Sequence, residues 1–199
     1  WEYQPPTILL SDFFECPDAF SVWWKILVKP LYWSSGKGIE KFESKDELLR
    51  IRDKFIWLEW VHLVQEFKDF TQWIPWLIDG MHDLRIAYIG GKISHATIRS
   101  PMQWSFKSNI GSWGTEIWVP IEKIPEEVCR ICDAVLNKMK FSPINCFSID
   151  FGYVLKENRW YIFEINSSPG MMFWSEDPKM KNAFYHAYFT DMVEMIRKL

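Results

Sequence analysis

Glycine is in short supply. The chain has nine glycines in 199 residues, where average usage of about 7% would give roughly fourteen. Collagen-like repeats, glycine-rich linkers and low-complexity tracts are therefore excluded. No run of apolar residues is long enough to span a bilayer, so no membrane is expected as a partner. Neither sign of charge is in excess: 23 Lys and Arg stand against 26 Asp and Glu, for a net charge of −3. That gives no electrostatic reason to expect nucleic acid. Cysteine is also sparse, with four at 16, 129, 132 and 146 and no framework spacing. Such usage suits a reducing compartment, and the expected location is the cytoplasm. Residues 1–6 carry neither a basic stretch nor an apolar core of the kind a secretion signal needs. The four histidines are scattered and read as surface or core residues.

What is present points to folded structure. The chain is 48% hydrophobic and 18% aromatic, far above a disordered tail. Its length allows one sizeable core or two small subdomains. Tryptophan, with 13 residues, outnumbers glycine.

Strand and helix signals alternate along the chain. Residues 21–30 read as a strand ending at Lys29 and Pro30, followed by a small-residue loop over 33–38. Ser44 and Glu47 form a capping box that opens a helix expected to reach Phe55. Residues 61–67 read as a strand, and 68–82 as a long aromatic connection. Residues 83–89 and 92–99 alternate as strands around Gly90-Gly91, a two-residue hairpin signal. Residues 101–114 form a polar loop. Pro125, Glu126 and Glu127 suit the first turn of a helix to Met139. Its apolar stripe is Val128, Cys129, Cys132, Val135, Leu136 and Met139, which makes the Cys129-x-x-Cys132 pair core rather than a redox or zinc motif. Residues 145–155 and 159–165 make a second hairpin, and 179–199 a closing helix. Strands gathered in hairpins among helices give an α+β class.

The second hairpin carries the clearest chemistry. Its turn centres near Glu157 and Asn158, which sets Asp150 nearly opposite Glu164. Asn166 lies two residues on, so it shares the face of Glu164. Two facing carboxylates destabilise a hairpin unless a cation lies between them. Carboxylate and amide oxygens of this kind suit Mg²⁺, and a solvated carboxylate pair is the plainer reading. Lys29 before the Ser34-Ser35-Gly36-Lys37-Gly38 loop is one way of covering phosphates with a point charge and backbone N–H groups. It is not a Walker A motif, because neither Ser nor Thr follows Lys37. Arg85, Arg99 and Lys107 add cations on or just beyond the first hairpin, as phosphoryl transfer needs.

In this order the segments resemble the ATP-grasp superfamily, and within it the RimK-type, glutamate ligase-like carboxylate–amine ligases. Val28-Lys29-Pro30 and Ser34-Ser35-Gly36-Lys37-Gly38-Ile39 resemble its lysine strand and phosphate loop. Val64-Gln65-Glu66-Phe67 resembles its adenine hinge, and Asp83-Leu84-Arg85 its Asp-(Ile/Leu)-Arg. Arg99 with Phe106-Lys107-Ser108-Asn109 resembles its Arg and Phe-Arg-Ser-Asn elements, with Lys107 in place of the common Arg. Ile149-Asp150-Phe151 and the run from Glu164 to Gly170 resemble its metal signature.

The resemblance implies an ATP-grasp fold of two α+β subdomains gripping ATP, at 1–66 and 67–199, without the usual preceding domain. It implies that Lys29, Ser34, Ser35, Gly36, Lys37 and Gly38 bind the ATP phosphates. Gln65, Glu66 and Phe67 would hold adenine, and Asp83 would lie near the nucleotide. Lys107, Ser108 and Asn109 would touch phosphates or metal. Asp150, Glu164 and Asn166 would hold two Mg²⁺, with Mn²⁺ an alternative and Glu164 bridging. Arg99, with Arg85, would be catalytic, stabilising charge on an acyl phosphate. The implied reaction joins a carboxylate substrate to an amine acceptor, a small molecule or a peptide or protein terminus. An ATP-grasp kinase and an inactive, synapsin-like ATP-binding domain are the alternatives. The resemblance leaves self-association open.

The tryptophan surplus then acquires locations. Trp33, Trp76, Trp104 and Trp113 stand where related sequences carry glycine. Those places call for backbone freedom or close approach to phosphate, which glycine supplies most cheaply. The expectation is that several are glycine in the cell, encoded by UGA in a code that reads it as Gly. The codons check this: UGA is expected at these positions, and UGG at 33, 104 and 113 would end the idea.

Overall fold

The computed structural model describes residues 2–20, 25–32, 38–70, 74, 80, 82–100, 115–139, 146–167 and 177–197. The chain separates into two compact units, Trp1–Asp69 and Phe70–Leu199, each with its own antiparallel sheet.

The first unit holds β1 (Thr7–Leu9), α1 (Leu10–Glu15), β2 (Ile26–Pro30), β3 (Glu40–Phe42), α2 (Lys45–Arg50) and β4 (His62–Glu66). Its sheet order is β1-β4-β2-β3. Val28 pairs with Val64 across β2 and β4. Both join a core of Leu10, Phe13, Phe14, Ile26, Phe42, Leu48 and Phe55. The alternation that buries Ile26 and Val28 leaves Leu27 and Lys29 on the opposite face. The strand expected over 21–30 is described from Ile26 onward, and residues 21–24 lie outside the described residues. β1, α1 and β3 were not legible in the sequence, because the two strands of three residues give too few positions for an alternation to register.

Ser44 caps α2 as expected, its Oγ accepting the Glu47 backbone N–H at 3.3 Å. The Glu47 carboxylate reaches back one residue further than expected, to the Glu43 N–H at 2.9 Å. The helix stops at Arg50 instead of running to Phe55, and a 3₁₀ turn over Arg52–Phe55 follows. A continued helix would place Arg52, four residues after Leu48, on the buried stripe. The break turns it outward, with its guanidinium 5.0 Å from the Phe14 ring centre, while Phe55 still enters the core.

The second unit holds β5 (Asp83–Ile89), β6 (Lys92–Ser100), β7 (Thr115–Val119), α3 (Glu126–Met139), β8 (Cys146–Val154), β9 (Arg159–Asn166) and α4 (Pro178–Ile196). Its sheet order is β7-β6-β5-β8-β9. Gly90 and Gly91 join β5 to β6 at φ 62° and 81°. This left-handed pair is what a type I′ hairpin turn requires. β8 and β9 are joined by a 3₁₀ turn over Leu155–Glu157 and a left-handed Asn158. β7 has no counterpart in the sequence reading. The expected loop over 101–114 lies outside the described residues, as does most of the 68–82 connection.

α3 buries Val128, Ile131, Cys132 and Val135. Its inward stripe is therefore rotated from the expected one: Ile131 joins it, Cys129 is half-buried and Met139 is exposed. Burial, and then the neighbouring Cys132 of α3, push the Tyr88 hydroxyl of β5 up. All four cysteines are free, and burial pushes the Cys132 thiol up to about 12, as befits core rather than a reactive pair. α4 begins at Asp177, whose carboxylate accepts the Lys179 N–H at 2.9 Å. Phe184 of α4 meets His95 of β6 edge-on at 4.5 Å, and Lys92 pairs with Asp191 at 2.7 Å and Glu194 at 2.8 Å. No helix among the described residues is long and apolar enough to cross a membrane.

His95 is almost fully buried, and burial lowers its imidazole to about 4, with Asp191 opposing and Arg85 reinforcing the shift. In the unfolded chain the group titrates near 6.5. Above that pH both states are neutral and His95 adds no pH dependence. As the pH falls from about 6.5 to 4, only the unfolded state gains the proton, so stability drops by up to about 3 kcal/mol. Urea unfolding at pH 7 and pH 4.5 should show a smaller acid loss in His95→Gln than in the wild type.

Candidate active site

The register of the second hairpin sets the site. From the turn, Val154 pairs with Arg159 and Phe151 with Ile162. Continued unchanged, that register would put Phe163 opposite Asp150. A bulge between Asp150 and Phe151 sets Phe163 aside and pairs Asp150 with Glu164 and Ser148 with Asn166. The displaced Phe163 stacks on Phe70 at 5.4 Å. Phe70 also covers Gly152, where a Cβ would stand 2.5 Å from the ring. Gly152 lies two residues from Asp150, on the same face, and only glycine leaves room for that ring.

Across the sheet, Asp150 pairs with Arg85 of β5, and Arg85 with Thr97 of β6. One row therefore runs Glu164, Asp150, Arg85, Thr97. Two residues along β5, Asp83 pairs with Arg99 of β6. The Arg85 Nε and Nη2 donate to the two Asp150 oxygens, both at 2.7 Å. The Arg99 Nε and Nη2 donate to the two Asp83 oxygens, both at 2.6 Å. The same Arg99 Nη2 reaches Asp150 Oδ2 at 2.9 Å. Asn166 Nδ2 lies 3.4 Å from that oxygen. Two acids and two arginines thus alternate in one buried ladder of zero formal charge.

The ladder governs the titration of its members. Burial opposes charge on Asp150, yet Arg99 and Arg85 outweigh it and hold the carboxyl below its usual range. Both arginines are pushed up: burial works against their charge, and the acids overcome it. Glu164 stands apart. The residue is exposed, but crowding of its carboxyl by protein, and then the charge of Asp150, raise its pKa.

Two carboxylates and an amide oxygen on one face are a donor set for a hard divalent cation. Among the described residues, Asp150 Oδ2 already accepts from Arg85, Arg99 and Asn166, whereas Oδ1 accepts only from Arg85. A carboxylate oxygen has two lone-pair directions, so Oδ1 keeps one for a metal. The wholly buried Ser148, paired with Asn166, has a hydroxyl without a hydrogen-bond partner among the described residues. The residues fit Mg²⁺. Among the described residues there is no group of three His, Cys, Asp or Glu able to hold a metal, and the third donor here is the amide Asn166.

In the first unit, Lys29 Nζ donates to Gln65 Oε1 at 3.1 Å. Gln65 Nε2 donates to Thr7 Oγ1 at 2.7 Å, which donates to the Pro5 carbonyl at 2.7 Å. Glu66 pairs with Lys68 at 3.0 Å. The N–H groups of Glu66 and Phe67 are taken by the Pro6 and Lys25 carbonyls, each at 2.9 Å, and the Phe67 ring lies under the Lys41 ammonium at 4.5 Å. Gly38 adopts φ +74°. Ser34, Ser35, Gly36, Lys37, Lys107, Ser108 and Asn109 lie outside the described residues.

The structure therefore brings Asp83, Arg85, Arg99, Asp150, Glu164 and Asn166 onto one sheet face. Asp83, expected near the nucleotide, accepts two Arg99 bonds with its carboxylate. Ser148 and Thr97 gave no signal, because a lone hydroxyl in a strand carries no periodicity of its own.

Removing one partner of a buried pair leaves an uncompensated charge, which costs about 3–5 kcal/mol. Asp150→Ala should lose that much in urea unfolding. Glu164→Gln, which removes a charge that Asp150 repels, should leave stability unchanged or slightly raised.

No family model matches the chain. Over 146 residues it is 27% identical to a probable alpha-L-glutamate ligase of Psychromonas ingrahamii, covering 73% of this chain and 43% of that protein. The chain thus spans less than half the length of that relative. Among solved structures it is similar to D-alanyl-alanine synthetase A of Vibrio cholerae, with a TM-score of 0.65, 21% identity and coverage of 98% of this chain and 60% of the other. It is also similar to the ATP-grasp ligase PsnB, with a TM-score of 0.63, 12% identity and coverage of 97% and 55%.

Proposed function

Because the chain has the ATP-grasp fold, we propose that it is the nucleotide- and metal-binding part of an ATP-dependent carboxylate–amine ligase. The substrate class we assign is a glutamate-type acid or a peptide terminus, in keeping with the glutamate ligase relative. One observation carries the reading: the bulge that sets Asp150 opposite Glu164, with Asn166 two residues on, in a ladder that binds two arginines to the same face.

In this reading Asp150, Glu164 and Asn166 would hold two Mg²⁺. The ions would supply neutralisation of charge on the transferring phosphoryl group. Asp150 is presented ionised, because its arginines keep it so. Lys29, tethered by Gln65, would offer a cation to phosphate; Ser34, Ser35, Gly36, Lys37 and Gly38 are assigned to phosphate as well, and Lys107, Ser108 and Asn109 to phosphate or metal. Gln65, Glu66 and Phe67 would hold adenine through groups other than the Glu66 and Phe67 N–H, which the Pro6 and Lys25 carbonyls take. Arg85 and Arg99 each spend Nε and Nη2 on carboxylates. Their Nη1 hydrogens would serve the negative charge that develops on an acyl phosphate or tetrahedral intermediate. The substrate carboxylate attacks the terminal phosphorus of ATP and ADP leaves. The amine then attacks the acyl carbon, and phosphate leaves as the amide forms.

The test is nucleotide turnover with Mg²⁺, glutamate and a panel of amines. Equal release of ADP and phosphate, dependent on both acid and amine, is expected. Glu164→Gln should lower it by about 100-fold or more. ADP formed without phosphate in the presence of a hydroxyl acceptor would instead indicate a kinase. Tight ATP binding with no turnover would indicate a regulatory domain. Unchanged Mg²⁺-ATP binding and turnover in Glu164→Gln would remove the site assignment.

A further inference from the structure

Asp83 lies next to the carboxylate face without belonging to the donor set. It is 2% exposed, and it holds Arg99 by two bonds of 2.6 Å, whereas Arg99 reaches Asp150 by a single bond of 2.9 Å. Charge-assisted, bidentate pairs are the stronger and more directional ones, so Asp83 has the first claim on that guanidinium. Asp83 and Arg85 lie two residues apart on β5, and therefore on one face. Arg99 is shared between Asp83 and Asp150, while among the described residues Arg85 donates to Asp150 alone.

We propose that Asp83 is a positioning residue for the metal site: by binding Arg99 it holds that cation back from Asp150 and keeps the last lone pair of Asp150 Oδ1 free for the ion. The inference rests on the reading of Asp150 as a metal ligand. Without the Asp83 charge, Arg99 has Asp150 as the remaining carboxylate that it already touches. Its Nε–H and Nη2–H then turn onto Asp150, which takes up two full guanidinium forks. A divalent cation must compete with the second fork. The consequence is specific: loss of Asp83 weakens metal binding only while Arg99 is present. Removing both members of the Asp83–Arg99 pair leaves Asp150 with Arg85 alone and restores access to Oδ1. A purely structural role for Asp83 predicts instead that metal affinity falls and recovers only as far as stability in urea does.

The experiment titrates Mn²⁺ by electron paramagnetic resonance in the presence of ADP, on the wild type, Asp83→Asn and the double variant Asp83→Asn/Arg99→Gln, with circular dichroism to establish folding. Wild type should bind. Asp83→Asn should bind about tenfold more weakly, the scale at which outer residues tune a metal site, and the double variant should return to within about threefold of wild type. Wild-type affinity in a folded Asp83→Asn, or a double variant as weak as the single, overturns the inference alone. Where Asp83→Asn does not fold, the double variant decides: wild-type affinity supports the inference and lost affinity overturns it. If wild type itself binds no Mn²⁺, the reading of Asp150 as a ligand falls, and this inference falls with it.

Discussion

A carboxylate with no exposed surface can stay ionised only if cations are built around it. Asp150 is such a group, and the architecture of the second unit follows from meeting its needs. Taking one ion from water costs several kcal/mol, and a single partner seldom offsets that. Here two guanidiniums share the work, one aligned as a fork and one divided with Asp83. The arrangement requires β5 to lie between β8 and β6, so that Arg85 arrives from one neighbour and Arg99 from the next but one. It also requires a tight β5–β6 turn, because Asp83 and Arg99 meet at the far end of that hairpin from Gly90 and Gly91.

The same geometry leaves Glu164 as the group with chemistry to spare. The bulge at Phe163 is the small irregularity that makes this so: without it, an aromatic ring would face Asp150 and Glu164 would point to the other side. The ring it displaces stacks on Phe70, which in turn fills the space that Gly152 leaves open. Packing around a missing side chain and charge pairing across three strands thus hold one register. Among the described residues, one acid without an arginine bond thus stands beside one that has two.

Much of this is legible in the sequence. Ser44 and Glu47 announced a helix start, Gly90-Gly91 announced a hairpin, and the turn near Asn158 placed Asp150 within one residue of its partner. These signals are local, read over two to ten residues. What was not legible was non-local or too short. Arg85 and Asp150 are 65 residues apart, and nothing in either segment names the other. β1 and β3 are strands of three residues whose pairing partners, not their own patterns, make them strands. The helix break at Ile51 follows from what Arg52 would meet in the core, which a capping box cannot report.

The amino-acid sequence by itself determined which residues could do chemistry and in what order, and hence the α+β class and the ATP-grasp resemblance. Order and residue type are one-dimensional properties, and motifs spell them out directly. Only the tertiary structure decided what those residues do to one another. It turned Arg85 and Arg99 from separate cations into a paired clamp on Asp150, made Asp83 the holder of Arg99, and left Glu164 exposed. Those outcomes depend on strand register and burial, and the same carboxylate is a ligand, a partner or a solvated charge according to which side chains the fold brings within about 3 Å of it.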